Sequence, residues 1–104
     1  MFVTTREDPP VEALAFFRES EGISVVLPRS AALDLGFDDG PPMKLITLNV
    51  YSSLEEIGLT AAVATCLAGH GIACNMIAAF HHDHLLVPAD RAEEALDLLM
   101  ALRR

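Results

Sequence analysis

The order of strand-like and helix-like segments after Lys44 is the feature that most restricts the fold of this chain. KLITLNVYS, which starts at Lys44, has high β propensity. A helical pattern follows from about Leu54 to His70, and its apolar stripe contains Leu59, Val63 and Leu67. IACNMIAAF and HLLVP are two further strand-like runs, and they predict a hairpin with HHD, which ends at Asp83, at its tip. A helical pattern follows them.

Local signals mark where the two helices start and stop. Ser53-Leu54-Glu55-Glu56 fits the S-x-x-E capping box, in which side chains satisfy the free N–H groups of a helix start. Gly69 and Gly71 predict the end of that helix. Asp90-Arg91-Ala92-Glu93 has the same cap spacing. The residues expected on the buried face of the last helix are Ala92, Ala95, Leu96 and Leu99.

The resulting order, β-α-β-β-α, is most of a ferredoxin-like β-α-β-β-α-β unit. In that unit two helices pack on one face of an antiparallel sheet, so we predict an α+β fold. The last strand of the unit is missing from the predicted order. This leaves a sheet edge to be covered, and we therefore expect a homodimer. The alternative is that the first part of the chain supplies the missing strand.

The first part of the chain has a coarser pattern. FVTT (Phe2 to Thr5) and ISVVLP are strand-like. Asp8 and Pro9 predict the start of a helix over PPVEALAFFRESE, ending at Gly22. The residues expected on its apolar face are Val11, Leu14 and Phe17. SAALDLG predicts a short helix capped by Ser30 and stopped by Gly36, and FDDGPPM is a linker of turn residues. We therefore expect a β-α-β segment over 1–40 and a separate module over 44–104.

Composition excludes several classes of function. The 104 residues carry 15 acidic and 7 basic side chains, and a net charge of −8 disfavours nucleic acid and anionic membrane as partners. Two cysteines make neither a disulfide framework nor a zinc finger. MFVTTREDPP is too short and polar for a signal peptide, and no apolar run approaches about 18 residues. These features predict a cytoplasmic protein.

One long stretch carries a family resemblance. SSLEEIGLTAAVATCLAGHGIACNMIAAFHHDHLLVPADRAEEAL resembles a bacterial group of small ACT-domain proteins and, more distantly, the ACT modules of the CASTOR arginine sensors. The resemblance covers Lys44 to Leu99, and FFRESEGISVVLP resembles the ACT-like segment that precedes this module in that group. It implies a ferredoxin-like regulatory module that binds an amino acid and pairs side by side with a second module.

The same resemblance implies a ligand near the loop between the first strand and the first helix of the module. ACT domains often have Asp-x-Pro-Gly there. In this chain Gly58 is kept, whereas Glu55 and Ile57 replace the Asp and the Pro. The resemblance also places the cationic group of the ligand near Asp83, whose carboxylate can pair with an ammonium or a guanidinium.

The candidate binding residues follow from this implied position and from their chemistry. A helix start offers free N–H groups and a positive dipole end, which suit a carboxylate. A glycine admits close approach to the backbone, and serine hydroxyls donate or accept hydrogen bonds. The predicted set is Ser52, Ser53, Ile57, Gly58, Leu59, Thr60, Phe80, His82 and Asp83. The alternative is that Ser53 only caps the helix and Gly58 only permits close packing.

FHHDHLLVP raises two further alternatives. Imidazole binds zinc, nickel and copper, but alternate residues of a strand face opposite sides, so His81 and Asp83 diverge from His82 and His84. A His–Asp pair can act as a general base, but no nucleophile lies in a recognisable motif. We therefore predict a non-catalytic module without metal or cofactor. The alternatives are a ligand-free interaction module and a histidine-based metal sensor.

Overall fold

The computed structural model describes residues 1–37, 41–48 and 53–102, and the side chains of residues 53–57 and 59 lie outside the description. The chain forms two compact units, Met1–Pro42 and Met43–Arg104. Each unit contains its own three-stranded antiparallel sheet. No helix in the described ranges is long and apolar enough to cross a membrane.

The first unit is a β-β-β-α arrangement. Its elements are β1 (Phe2–Thr5), β2 (Ala15–Glu19), β3 (Gly22–Val26) and α1 (Arg29–Asp34). The sheet order is β1-β3-β2, so β3 is central and β2 lies at an edge. The strands expected at FVTT and ISVVLP and the short helix at SAALDLG are confirmed.

The helix predicted over PPVEALAFFRESE is wrong, and with it the β-α-β order of the first part. Residues 15–19 form β2, which pairs along its whole length with β3. Phe16 and Phe17 have high β propensity, and the ladder to β3 outweighs the helical spacing of the apolar residues. Val11, which was expected on a buried helical face, is 99% exposed.

Gly22 begins β3 and does not end a helix. Its φ is +153°, and a Cβ at this position would lie 3.1 Å from the carbonyl oxygen of Thr5 and 3.2 Å from Oγ1 of Thr4. A larger residue would therefore push β1 away from β3. Gly22, which was predicted to end a helix, instead permits the close packing of β3 against β1.

α1 ends as predicted but does not begin as predicted. Gly36 has φ +92° and donates to the carbonyl of Leu33 at 3.1 Å, while Phe37 donates to the carbonyl of Ala32 at 2.8 Å. These two bonds form a Schellman motif. The residue before the first turn is Pro28, without a side-chain cap, so the prediction of Ser30 as cap is wrong.

The second unit has the predicted β-α-β-β-α order, which confirms the ferredoxin-like α+β fold. Its elements are β4 (Met43–Leu48), α2 (Ser53–Gly69), β5 (Asn75–Ala78), β6 (Asp83–Pro88), a 3-10 turn (Ala89–Arg91) and α3 (Ala92–Leu102). The sheet order is β4-β6-β5, with β6 in the centre and antiparallel to both neighbours. β5 and β6 form the predicted hairpin.

The core of the second unit lies between one face of this sheet and the two helices. Leu85 and Val87 of β6 are fully buried. They belong to one apolar cluster whose other buried members are Val63, Leu67, Ile72, Ala95 and Leu99. Leu96 was expected on this face, but it is 46% exposed. Consecutive helical residues point about 100° apart, and Ala95 takes the position that faces the sheet.

The last helix does not begin with the predicted side-chain cap. Pro88 precedes the 3-10 turn, and no side chain caps this start, so the cap expected from Asp90 is wrong. Arg91 instead makes the polar contacts of this region. Its guanidinium donates to the carbonyl oxygens of His70 at 3.0 Å and Gly71 at 3.3 Å, and to Oε1 of Glu94 at 2.8 Å. Arg91 thus joins the end of α2 to the start of α3.

The end of α2 confirms the prediction from Gly69 and Gly71. Gly71 has φ +70° and donates to the carbonyl of Ala68 at 3.0 Å. Ile72 donates to the carbonyl of Leu67 at 2.9 Å, and both of these side chains are buried in the same cluster. This is a Schellman motif with its accompanying apolar contact.

Candidate functional site

The topology of the second unit brings the start of α2 and Asp83 to the same end of the sheet. Asp83 begins the central strand and lies opposite Leu48, the last residue of β4. It also lies opposite Ala78, the last residue of β5. Since α2 begins at Ser53, five residues after Leu48, its first turn is close to this end in sequence and in topology.

Two facing stripes of the core run toward this end. At the opposite end of the sheet, Arg91 follows β6 and contacts the carbonyl groups at the end of α2. Because α2 and β6 end on the same side of the unit, they run in the same direction. On α2 the stripe of Leu67 and Val63 continues one turn earlier to Thr60, which is partly buried. On β6 the stripe of Val87 and Leu85 continues to Asp83. Each apolar stripe therefore ends in a polar residue at the same end of the unit.

Asp83 lies in a strand and not at the tip of the hairpin, where the sequence analysis expected it. Its cross-strand neighbour Leu48 packs against the core cluster, and paired residues share a face of the sheet. The Asp83 carboxylate is therefore on the side that carries the helices, and the residue is partly buried. Among the described residues the single salt bridge joins Arg91 to Glu94, so no described cation pairs with Asp83.

Gly58 lies in α2 with open space beside it. It is exposed, and a Cβ built on it would meet no described atom within 4 Å. No described element therefore packs closely against this glycine. Gly58 and Thr60 point about 200° apart around the helix, so a single small ligand cannot touch both side-chain positions directly.

His82 does not share a face with Asp83. It lies two residues before His84, on the side of the sheet away from the helices, and the two ring centroids are 6.4 Å apart. Nδ1 of His84 is 2.9 Å from Oγ1 of Thr47 on the neighbouring strand. Nδ1 of His82 is buried and has no hydrogen-bond partner among the described atoms. This second polar group was not foreseen, although the register of β4 against β6 brings it together.

Phe80 lies at the hairpin tip. It is 96% exposed, and its ring contacts the edge of the His81 ring at a centroid distance of 5.0 Å. The N–H of Ala79 donates to the carbonyl of His82 at 3.1 Å and closes the turn. Phe80 therefore projects beyond the end of the sheet at which Asp83 lies.

The remaining predicted residues lie wholly or partly outside the description. Ser52 lies outside the described residues. Ser53, Ile57 and Leu59 belong to α2, but their side chains are outside the description, so the capping box stays a prediction. The predicted residues whose side-chain positions are described are Gly58, Thr60, Phe80, His82 and Asp83, and of these His82 lies on the other face of the sheet from Asp83.

Possible metal ligands and thiols are two further kinds of reactive side chain among the described residues. No group of three or more His, Cys, Asp or Glu side chains is placed to hold a metal ion in the part of the chain that the structure describes. Both cysteines are free and partly buried. Burial raises the pKa of the Cys74 thiol, which lowers its thiolate fraction and its reactivity at neutral pH.

Comparison with known proteins adds a family and two structural relatives. The ACT-domain family model matches residues 42–101. A Vibrio cholerae protein of unknown function, described as a possible transport protein, is 42% identical with a TM-score of 0.80, covering 94% of this chain and 79% of that one. An Agrobacterium tumefaciens protein is 22% identical with a TM-score of 0.77, covering 96% and 79%, and this likeness concerns the fold alone. A search of curated proteins finds no significant match. The resemblance to the CASTOR modules stays a prediction.

Proposed function

Because this chain belongs to the ACT-domain family, we propose that it is a non-catalytic regulatory module whose small-molecule ligand is a free amino acid. The observation that carries the proposal is the position of Asp83. Asp83 is partly buried, and its carboxylate lies on the helix side of the sheet, at the end where α2 begins. Such a carboxylate attracts an ammonium or guanidinium group.

The start of α2 supplies the complementary charge. Free N–H groups and the positive end of the dipole of this 17-residue helix attract a carboxylate. A negative group and a positive helix end at one end of the sheet suit a zwitterion better than a simple anion or cation. At Gly58 no described atom lies within 4 Å of the Cβ position, so the described residues leave this part of α2 open.

The proposal includes assembly and location. β2 and β4 are edge strands of their sheets, and an edge strand without a second partner among the described residues favours association, so we propose a homodimer. Both cysteines are free, which suits a reducing compartment, and we propose that the protein acts in the cytoplasm. The downstream partner would read the difference between the liganded and the unliganded dimer.

Thermal unfolding in the presence of each of the twenty amino acids tests the proposal. A ligand at a hundred times its dissociation constant stabilises the fold by about 2.7 kcal/mol. For the amino acid with the largest effect, the amide and the deaminated acid each lack one of the two charges. Both analogues should stabilise the protein much less than the parent amino acid.

Two other outcomes would favour the alternatives. If no amino acid at millimolar concentration changes the unfolding temperature, the chain is better explained as an interaction module on an ACT scaffold. If untagged protein contains a stoichiometric transition metal by elemental analysis, the histidine-based sensor is favoured. A ligand that binds equally well without its amino group would remove the role of Asp83.

A further inference from the structure

The edge strand β2 of the first unit exposes two aromatic side chains. Phe16 is 51% exposed and Phe17 is 72% exposed, and as neighbours in a strand they point to opposite faces of the sheet. Among the described residues β2 pairs with β3 alone. An exposed apolar edge strand readily accepts another strand, and natural proteins usually protect such an edge.

The hydrogen-bond pattern shows which backbone groups of β2 point outward. Met1 and Leu27 exchange both backbone hydrogen bonds, at 2.6 and 2.9 Å, so Leu27 and every second residue before it direct their backbone groups toward β1. Ser24 therefore directs its groups toward β2, where its partner is Phe17. By alternation, the N–H and C=O groups of Phe16 and Arg18 point away from the sheet.

We propose that β2 pairs antiparallel with β2 of a second copy of this chain, about a two-fold axis that passes beside Phe17. In this register the outward groups of Phe16 meet those of Arg18 of the partner subunit, and the two residues exchange both backbone hydrogen bonds. Phe17 lies opposite Phe17 of the partner subunit in the non-hydrogen-bonded position, where side chains are closest. The two sheets become one continuous sheet.

The sequence of β2 is complementary to itself in this register. Within one chain the Arg18 guanidinium already lies 5.6 Å from the centroid of the Phe16 ring. Placing Phe16 opposite Arg18 of the partner subunit adds a second contact of the same kind across the axis. A register centred on Arg18 would instead oppose two guanidinium groups, and like charges directly opposite destabilise a strand pair.

The edge strand β4 of the second unit is less suited to pairing with a second copy of this chain. Lys44 is exposed on β4, and a lysine on an edge strand is a common protection against strand addition. Self-pairing of β2 gives the homodimer of the proposed function a specific contact surface. It does not depend on whether the ligand is an amino acid.

Replacing Phe17 by charged residues of either sign tests the proposed register of the two β2 strands. Phe17→Glu and Phe17→Lys each place like charges across the axis, and each should weaken dimerisation by about a hundredfold or more. An equimolar mixture of the two variants should recover a dimer containing one copy of each, because opposite charges then meet. Sedimentation velocity at high micromolar concentration measures all three samples, and circular dichroism checks that each variant is folded.

Val11 provides the matched control. It is almost fully exposed and lies outside β2, so Val11→Glu should leave the dimer unchanged. A wild-type chain that sediments as a monomer overturns the proposal. A dimer that persists in Phe17→Glu also overturns it, while leaving the homodimer itself intact through another surface. Amino-acid stabilisation measured on the same variants shows whether the proposed ligand site fails independently.

Cross-linking gives a second measurement that does not require a dissociated variant to fold. Across a non-hydrogen-bonded antiparallel pair the Cα atoms are about 4.5 Å apart, within the range of about 4.4–6.8 Å seen for disulfides. Phe17→Cys should therefore form a covalent dimer rapidly under mild oxidation, and Val11→Cys should not. Equal rates for the two variants, which share the native cysteines, would contradict the register.

Discussion

Asp83 lies directly opposite Leu48 across the pair formed by β4 and β6. Because Leu48 packs against the apolar core, this register directs the Asp83 carboxylate toward the helices. Asp83 is partly buried, and no described cation forms a salt bridge with its carboxylate. A cationic group of the proposed ligand would supply such a partner.

Replacement of Asp83 by Asn tests this relationship. Asp83→Asn keeps the size of the side chain and removes its charge, and a charge-assisted hydrogen bond is worth about 1.5–3 kcal/mol. The affinity for the amino acid found by thermal unfolding should fall about tenfold to a hundredfold, measured by calorimetry. Asp97→Asn changes an exposed carboxylate of α3 and should leave the affinity unchanged. Equal affinities in both variants would exclude a role for Asp83.

Replacement of Gly58 by Ala should have opposite effects on stability and binding. A helical glycine without a neighbour costs about 0.5–1 kcal/mol relative to alanine, so Gly58→Ala should raise the free energy of unfolding. If a ligand lies on the backbone of this turn, the added methyl group should reduce its affinity. Gly69→Ala is the control at the other end of α2, where a Cβ also meets nothing within 4 Å. It should not affect binding.

Two leucines of α3 provide a test of the packing. Leu99 is buried in the core cluster, so Leu99→Ala should reduce the free energy of unfolding by about 2–5 kcal/mol. Leu96 is largely exposed, and Leu96→Ala should cost less than about 1 kcal/mol. Urea denaturation measures the change in the free energy of unfolding for both variants. A larger loss at Leu96 than at Leu99 would show that the helix is rotated relative to this description or that Leu96 is covered by a partner.

The Arg91–Glu94 pair predicts a pH dependence. The hydrogen bond from Arg91 lowers the pKa of Glu94, so this pair stabilises the fold above the ordinary pKa of glutamate, about 4.3, and the contribution is lost as the pH falls further. Glu94→Gln should therefore unfold at a lower temperature than wild type near pH 7. The difference should shrink toward pH 3. Both side chains are partly exposed to solvent, so high salt should also reduce this difference.

Glu93→Gln is the control for this experiment. Glu93 is exposed on the same turn of α3, and its replacement changes the net charge by the same amount. It should shift the unfolding temperature less than Glu94→Gln at pH 7. If the two variants respond to pH in the same way, the effect comes from net charge and not from the contact with Arg91.

Local sequence signals were sufficient for much of the second unit. The 3.6-residue period, the β-branched runs and the glycines after α2 act over a few residues, and each predicted its element correctly. Gly71 predicts a helix end because only a residue that accepts positive φ allows the Schellman hydrogen bonds. The family resemblance rests on the same segment, and the family match confirms that the chain is an ACT-domain protein.

The tertiary structure decided which strand pairs with which and in which register. Residues 15–19 have an acceptable helical period, but β3 offers them a complete ladder, and this distant partner is not encoded in the local pattern. Register also placed Asp83 on the helix side and His82 on the other face, although the two are adjacent in sequence. Adjacent strand residues always face apart, and only the pairing with Leu48 determines which of them faces the core.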